Sequence, residues 1–185
     1  EEAGASVIFA VGRRLPRWPE CHVPYWAEGL SWEEQKTEIL EQIQEVVMRY
    51  KDSPAVSYWQ VENEPYLEVF AKQHCGTLDE EFLKTEIALV TSLDSSRPVL
   101  VTDSGNLGLW AGAYRNGDAF GTSVYVHFWN PEVGQFRTVI PPWWYRVKAN
   151  VMALLYGRKE VMLIELSAEP WLIEPVTNVD IDTQF

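Results

Sequence analysis

The chain has 185 residues with an apolar fraction of 46 % and nine tryptophans, a composition that supports a packed single domain over residues 1–185 and excludes a disordered chain. Fifteen basic against 27 acidic side chains give a net charge of −12; that field repels phosphate backbones, so nucleic acid is not an expected partner. No apolar run approaches the roughly 20 residues that span a bilayer.

In chain order, Ala5 to Val11 is a short β-branched apolar run closed by Gly12, which predicts a buried strand. A Pro- and Trp-containing loop from Arg13 to Gly29 follows. Ser31 with Glu34 three residues on is a capping box that opens a helix to about Tyr50, with Ile39, Ile43, Val46, Val47 and Tyr50 on one side. A second strand is expected from Val56 to Asn63. Thr77 with Glu80 predicts the start of a second helix, whose apolar face is Phe82, Leu83, Ile87, Val90 and Leu93. A third strand covers Val99 to Asp103, a short helical piece Leu107 to Arg115, and a fourth strand Thr122 to Phe128. Pro141 opens a further helix that Gly157 stops, and a fifth strand runs from Val161 to Glu165. Strict alternation of this kind predicts a parallel sheet with right-handed crossovers. Neither GxGxxG nor a P-loop follows any strand, which disfavours a nucleotide site.

Functional groups in parallel α/β folds gather at the carboxyl ends of strands. Here those ends carry Glu62-Asn63-Glu64-Pro65, Asp103, Tyr125-Val126-His127-Phe128-Trp129 and Glu165. Two carboxylates on different strands are what glycosidic cleavage requires, one protonated for the leaving oxygen and one ionised for the anomeric carbon. Strand parity places Glu64 inward at the mouth, with Glu62 as an inward residue hydrogen-bonded to neighbours and Trp59 packed against helices. The same alternation puts Glu165 on the face of Val161 and Leu163, while Glu169, a less favoured nucleophile, lies further along the loop.

The segment Tyr58-Trp59-Gln60-Val61-Glu62-Asn63-Glu64-Pro65 resembles the Asn-Glu-Pro motif after the fourth barrel strand of clan-A, cellulase-like glycoside hydrolases. Val161-Met162-Leu163-Ile164-Glu165 is similar to the clan's seventh strand, three strands later, and the His127 segment resembles its aromatic sixth strand. The resemblance implies an incomplete (β/α)8 TIM barrel comprising strands three to seven, with strands one, two and eight outside the chain. It also implies a retaining hydrolase of O-glycosidic, β-linked bonds, with Glu64 as acid/base, Glu165 as nucleophile and Asn63 on the sugar's 2-hydroxyl. Retention places the two carboxyl groups about 5–5.5 Å apart. Trp129 stands where the clan has Tyr, so either Tyr125 or Trp129 supports the nucleophile. His127 and Trp171 are further candidates for substrate contact, and Trp18, Trp110, Trp143 and Trp144 are possible stacking surfaces. The expected partner is an oligosaccharide or polysaccharide, with no cofactor and no metal; a binding barrel without turnover is the alternative. Cys21 and Cys75 are open to two readings, a disulfide suited to an extracellular or cell-surface enzyme or two free thiols. A zinc site with His22 and His74 is disfavoured, because adjacent Cys-His pairs lack chelating spacers.

Overall fold

The computed structural model describes residues 4–16, 20–68, 72, 75–130 and 134–167, with backbone alone at 129, 130 and 134. The elements are β1 (Val7–Val11), α1 (Trp32–Tyr50), β2 (Val56–Val61), α2 (Glu80–Leu93), β3 (Val99–Ser104), α3 (Ala111–Asn116), β4 (Ala119–Tyr125), β5 (His127–Asn130), β6 (Gly134–Arg137), α4 (Pro142–Tyr156) and β7 (Val161–Ser167). Five parallel strands form one sheet in the order β1-β2-β3-β4-β7. Each main-sheet strand lies beside its predecessor, with no reversal of direction along the sheet. A doubly wound sheet reverses at its switch point; the sequential order is that of a TIM barrel, and the chain has the α/β architecture of part of one.

Local chemistry explains the helices. Ser31 accepts from the Glu34 backbone while Glu34 reaches back to the Ser31 N–H, completing the expected capping box at the start of α1. The second helix begins later than expected: Asp79, not Thr77, is its cap, accepting from Phe82 N at 3.0 Å. An aspartate is an equally strong N-cap, and its charge suits the positive end of the helix.

Ile43, Val47, Phe82, Leu83 and Val90 of the helices meet Trp59, Val61, Val99, Val101 and Phe120 of the strands in one core. Each such side chain contributes about 1.5–3 kcal/mol when fully buried. Trp59, fully buried, also donates its indole N–H to Asp94 at 2.9 Å. It faces the helices, as parity predicts. The other face of the sheet carries Gln60, Thr102 and Ser123, all buried, so its interior near the mouth is polar.

Two features depart from strict alternation. The expected fourth strand to Phe128 is broken at Val126: β4 ends at Tyr125, and His127 begins the antiparallel β5–β6 hairpin, opposite Arg137. The last strand carries a register irregularity: Thr122 pairs with Leu163 but Ser123 with Glu165, so Ile164 is the extra residue. A bulge of this kind flips the facing of everything after it. Val161 and Leu163 point outward and are exposed, whereas Glu165 turns to the opposite side, so it does not share their face as simple alternation predicts.

Candidate active site

The site is built around the turn after β2. Glu62 and Glu64 both have left-handed backbones, φ 57° and 43°, in residues that are not glycine. Such conformations are costly and persist only where surroundings impose them. The constraints are explicit. Glu62 accepts the backbone N–H groups of Arg13 and Arg14, each at 2.7 Å. Gly12, at φ 104°, lies so close to the Glu62 carboxylate that a β-carbon there would collide with it. Gln60 donates to Asn63 Oδ1 at 3.1 Å, and Glu64 N donates to Thr102 Oγ1 at 2.8 Å. Beyond Leu100 the regular pairing of β2 with β3 stops, and this side-chain bond replaces it.

Glu62 is therefore hydrogen-bonded to neighbours, as expected, but it does not face the interior. It lies under the loop after β1 and against α2, where its carboxylate receives a hydrogen bond from the Glu86 carboxyl. Burial first, and then the Glu62 charge, pushes Glu86 far above the usual carboxyl range, so Glu86 is the protonated partner.

Glu64 itself is buried and accepts from Ser123 Oγ of β4. Burial raises its pKa from 4.5 to about 7, the Ser123 hydrogen bond opposes the rise, and the nearby charges of Glu165, Glu20 and Asp103 add to it. A carboxyl group in that range holds a proton near neutral pH and can also release it. On β7, Glu165 Oε2 accepts from Tyr125 Oη at 2.7 Å, while Oε1 is buried without a hydrogen-bond partner among the described residues. Burial, and next the bond to Glu165, raises the Tyr125 pKa and keeps its hydroxyl a donor. Of the two candidates to support Glu165, Tyr125 makes the contact; the Trp129 side chain lies outside the described residues.

The structure thus brings together Glu64, Glu165, Asn63 and Tyr125 from three strands. Asn63 is buried with its carbonyl oxygen occupied and its amide N–H groups uncommitted among the described residues. His127 is half-buried at the base of the hairpin. Trp171, Trp18, Glu169 and His74 lie outside the described residues. Trp110 is not a sugar platform: it is 1 % exposed, packs on Phe120, donates to Ser104 O, and carries Lys148 over its ring. Trp143 and Trp144 open α4 with exposed rings in an edge contact.

Several contributors were assigned no role from the sequence. Arg14 is buried, and its guanidinium binds Glu20 and the carbonyls of Pro65 and Leu67. Ser123 and Thr102 hold Glu64; alternation along β3 and β4 would have nominated both as inward polar residues. Asp103 is an anchor, accepting from the backbones of Ser104 and Trp110. Lys148, lowered to about 8 by burial, ties the carbonyls of Gly105 and Gly108. Cys21 and Cys75 form a disulfide across the loops after β1 and β2, which removes both thiols from any zinc site.

The family model described as beta-galactosidase, glycoside hydrolase family 42, matches residues 30–159. The chain belongs to this family. No curated protein matches it. Among solved structures it is similar to a β-D-glucuronidase of Dictyoglomus thermophilum, with 23 % identity, a TM-score of 0.59, and coverage of 91 % of this chain and 27 % of that one. It is also similar to a β-galacturonidase from Eisenbergiella tayi, with 17 % identity, a TM-score of 0.52, and coverage of 72 % and 22 %. These likenesses show the fold. The family 42 chain spans about a quarter of the length of the first of these structures. Among the described residues no helix is long and apolar enough to cross a membrane.

Proposed function

We propose that this chain supplies the two catalytic carboxyl groups of a retaining β-glycosidase, with strands β1 to β4 and β7 standing as strands three to seven of a (β/α)8 barrel. The observation that carries the reading is the pairing of unlike carboxyl groups. Glu64 is desolvated to a pKa of about 7, and Glu165 bears one oxygen held by Tyr125 and one buried oxygen without a partner among the described residues.

In the first step the Glu165 carboxylate attacks the anomeric carbon as Glu64 passes its proton to the departing glycosidic oxygen. The product is a glycosyl ester on Glu165 and a free alcohol. Esterification removes the negative charge that helps to hold the Glu64 pKa up, so Glu64 becomes a better-populated carboxylate in the second step. It then takes a proton from water, which attacks the same carbon and restores Glu165, with net retention. The uncommitted amide of Asn63 is suited to the sugar's 2-hydroxyl. His127, Trp129 and Trp171 are further substrate contacts in this reading, and the substrate is an oligosaccharide or polysaccharide.

The test uses the intact protein with aryl β-galactosides, since the family model is a β-galactosidase model, and aryl β-glucuronides as the second series. Activity is expected to vanish in Glu165→Gln and to fall about 10²- to 10⁴-fold in Glu64→Gln. Azide should rescue Glu165→Ala and give a glycosyl azide of inverted configuration. Sugar binding with no turnover on any glycoside would instead favour a binding barrel.

A further inference from the structure

A third carboxylate, Glu20, stands at the same mouth, and its fixation exceeds what a loop anchor requires. It follows β1 in a loop whose ends close on themselves, with Leu15 N donating to Glu20 O and an antiparallel bridge between Arg14 and Cys21. Glu20 has a left-handed backbone, φ 72°, without being glycine. Its neighbour Cys21 is bonded to Cys75. Its partner Arg14 is fixed at both ends: its backbone N–H sits on Glu62, and its guanidinium spans from Pro65 O and Leu67 O to Glu20. Pro65 and Leu67 are the residues just past Glu64, so Arg14 clamps Glu20 over the acid/base turn.

The geometry of the ion pair is informative. An arginine and a carboxylate used only as an anchor gain most from two parallel bonds, one to each oxygen. Here Arg14 Nε and Nη2 both donate to Glu20 Oε2, at 3.2 and 2.6 Å. Glu20 Oε1 carries no partner among the described residues, although the side chain is only 12 % exposed. Arg14 ties this carboxylate to Pro65 O and Leu67 O of the turn that carries Glu64, and its charge is felt by Glu64, by Glu165 of β7 and by Tyr125 of β4, so it stands close to all three. A charged acceptor presented there suits a hydroxyl donor and repels an anionic substituent.

We propose that Glu20 is a substrate-positioning residue whose Oε1 accepts a hydrogen bond from one hydroxyl of the sugar held between Glu64 and Glu165, selecting a neutral glycoside over a uronide at that position. The proposal rests on the reading of Glu64 and Glu165 as the catalytic pair.

The experiment is a cycle between residue and hydroxyl in the intact protein. Wild type, Glu20→Gln and Glu20→Ala are assayed on an aryl β-galactoside and on its monodeoxy analogues. Glu20→Ala should lower kcat/KM on the parent by about 10- to 100-fold, the range for a lost hydrogen bond to a charged group. On one deoxy analogue the same variant should cost little, because the bond is already missing. Glu20→Gln keeps the shape and an acceptor oxygen, so it should lose less than alanine while reducing discrimination against the uronide. An equal loss on every analogue, in both variants, would overturn the proposal and leave Glu20 as a loop anchor. If alanine fails to fold, the glutamine variant alone decides, by whether its loss singles out one hydroxyl. Should wild type hydrolyse none of these glycosides, or Glu165→Gln remain active, the catalytic reading fails first and the proposal with it. That outcome is distinct from a uniform loss.

Discussion

The two halves of the candidate active site are built differently. On the β1–β2 side the backbone is cross-linked several times over. Glu62 takes two backbone N–H groups, Arg14 bridges three segments, and a disulfide joins the loops. On the β4–β7 side, among the described residues, Glu165 is held by one hydroxyl, on a strand at the sheet edge whose outward Leu163 and Leu166 are 54 % and 66 % exposed. The turn that carries Glu64 is thus preorganised within this chain by many bonds, several of them long-range, whereas the surroundings of Glu165 depend on what packs against an edge. Preorganisation matters more for Glu64, because a neutral carboxyl group must be kept from water to hold its proton.

Removal of the disulfide should make the largest difference between the halves. Its two cysteines are 54 residues apart, and closing a loop of that size contributes about 4 kcal/mol in the chain-entropy description. Cys21→Ser with Cys75→Ser, followed by denaturant unfolding, should show a loss of that order, with increased exchange of amides in the loops after β1 and β2. Unchanged stability would mean that the hydrogen bonds alone hold that side.

Next comes the stability of Glu64 itself. Its folded pKa of about 7 lies above the usual 4.5, so the folded state binds the proton more tightly than the unfolded one. Stability is complete below about pH 4.5 and declines as pH rises toward 7, by about 3 kcal/mol in all. Glu64→Gln should therefore raise Tm at pH 8 and barely change it at pH 4. An equal gain at both values would remove the desolvation account.

On the less constrained side, Tyr125→Phe removes the hydroxyl held by Glu165. A tenfold to hundredfold fall in kcat/KM is expected from a bond to a charged group of about 1.5–3 kcal/mol, with Tm little altered. A loss of stability without a loss of rate would make Tyr125 a packing residue. The smallest effect should come from α4, where Leu154 is 85 % exposed. Leu154→Ser should change stability by less than about 0.5 kcal/mol. A cost above about 1 kcal/mol in the intact protein would show that this outer face is covered there, and would narrow the contrast between the two halves.

Much of this was legible in the residues alone. The apolar runs and the 3.6-residue periodicity marked each strand of the main sheet and α1, because burial on one face imposes a period that local sequence records. Asn63-Glu64-Pro65 and Glu165 could be nominated because strand ends are where parallel folds present side chains. The facing of Glu165 was not legible, since a bulge at Ile164 leaves no trace in an apolar run. Nor was the end of β4 at Tyr125, where the aromatic residues suit a strand and a hairpin equally well. Whether Cys21 and Cys75 would meet, which oxygen of Glu20 Arg14 would take, and how far burial would lift Glu64 depend on segments far apart in the chain. Periodicity and chemical type are local properties that a sequence carries in itself; desolvation, charge coupling and cross-loop hydrogen bonds arise only when distant residues share one low-dielectric space, and only the tertiary structure decided them.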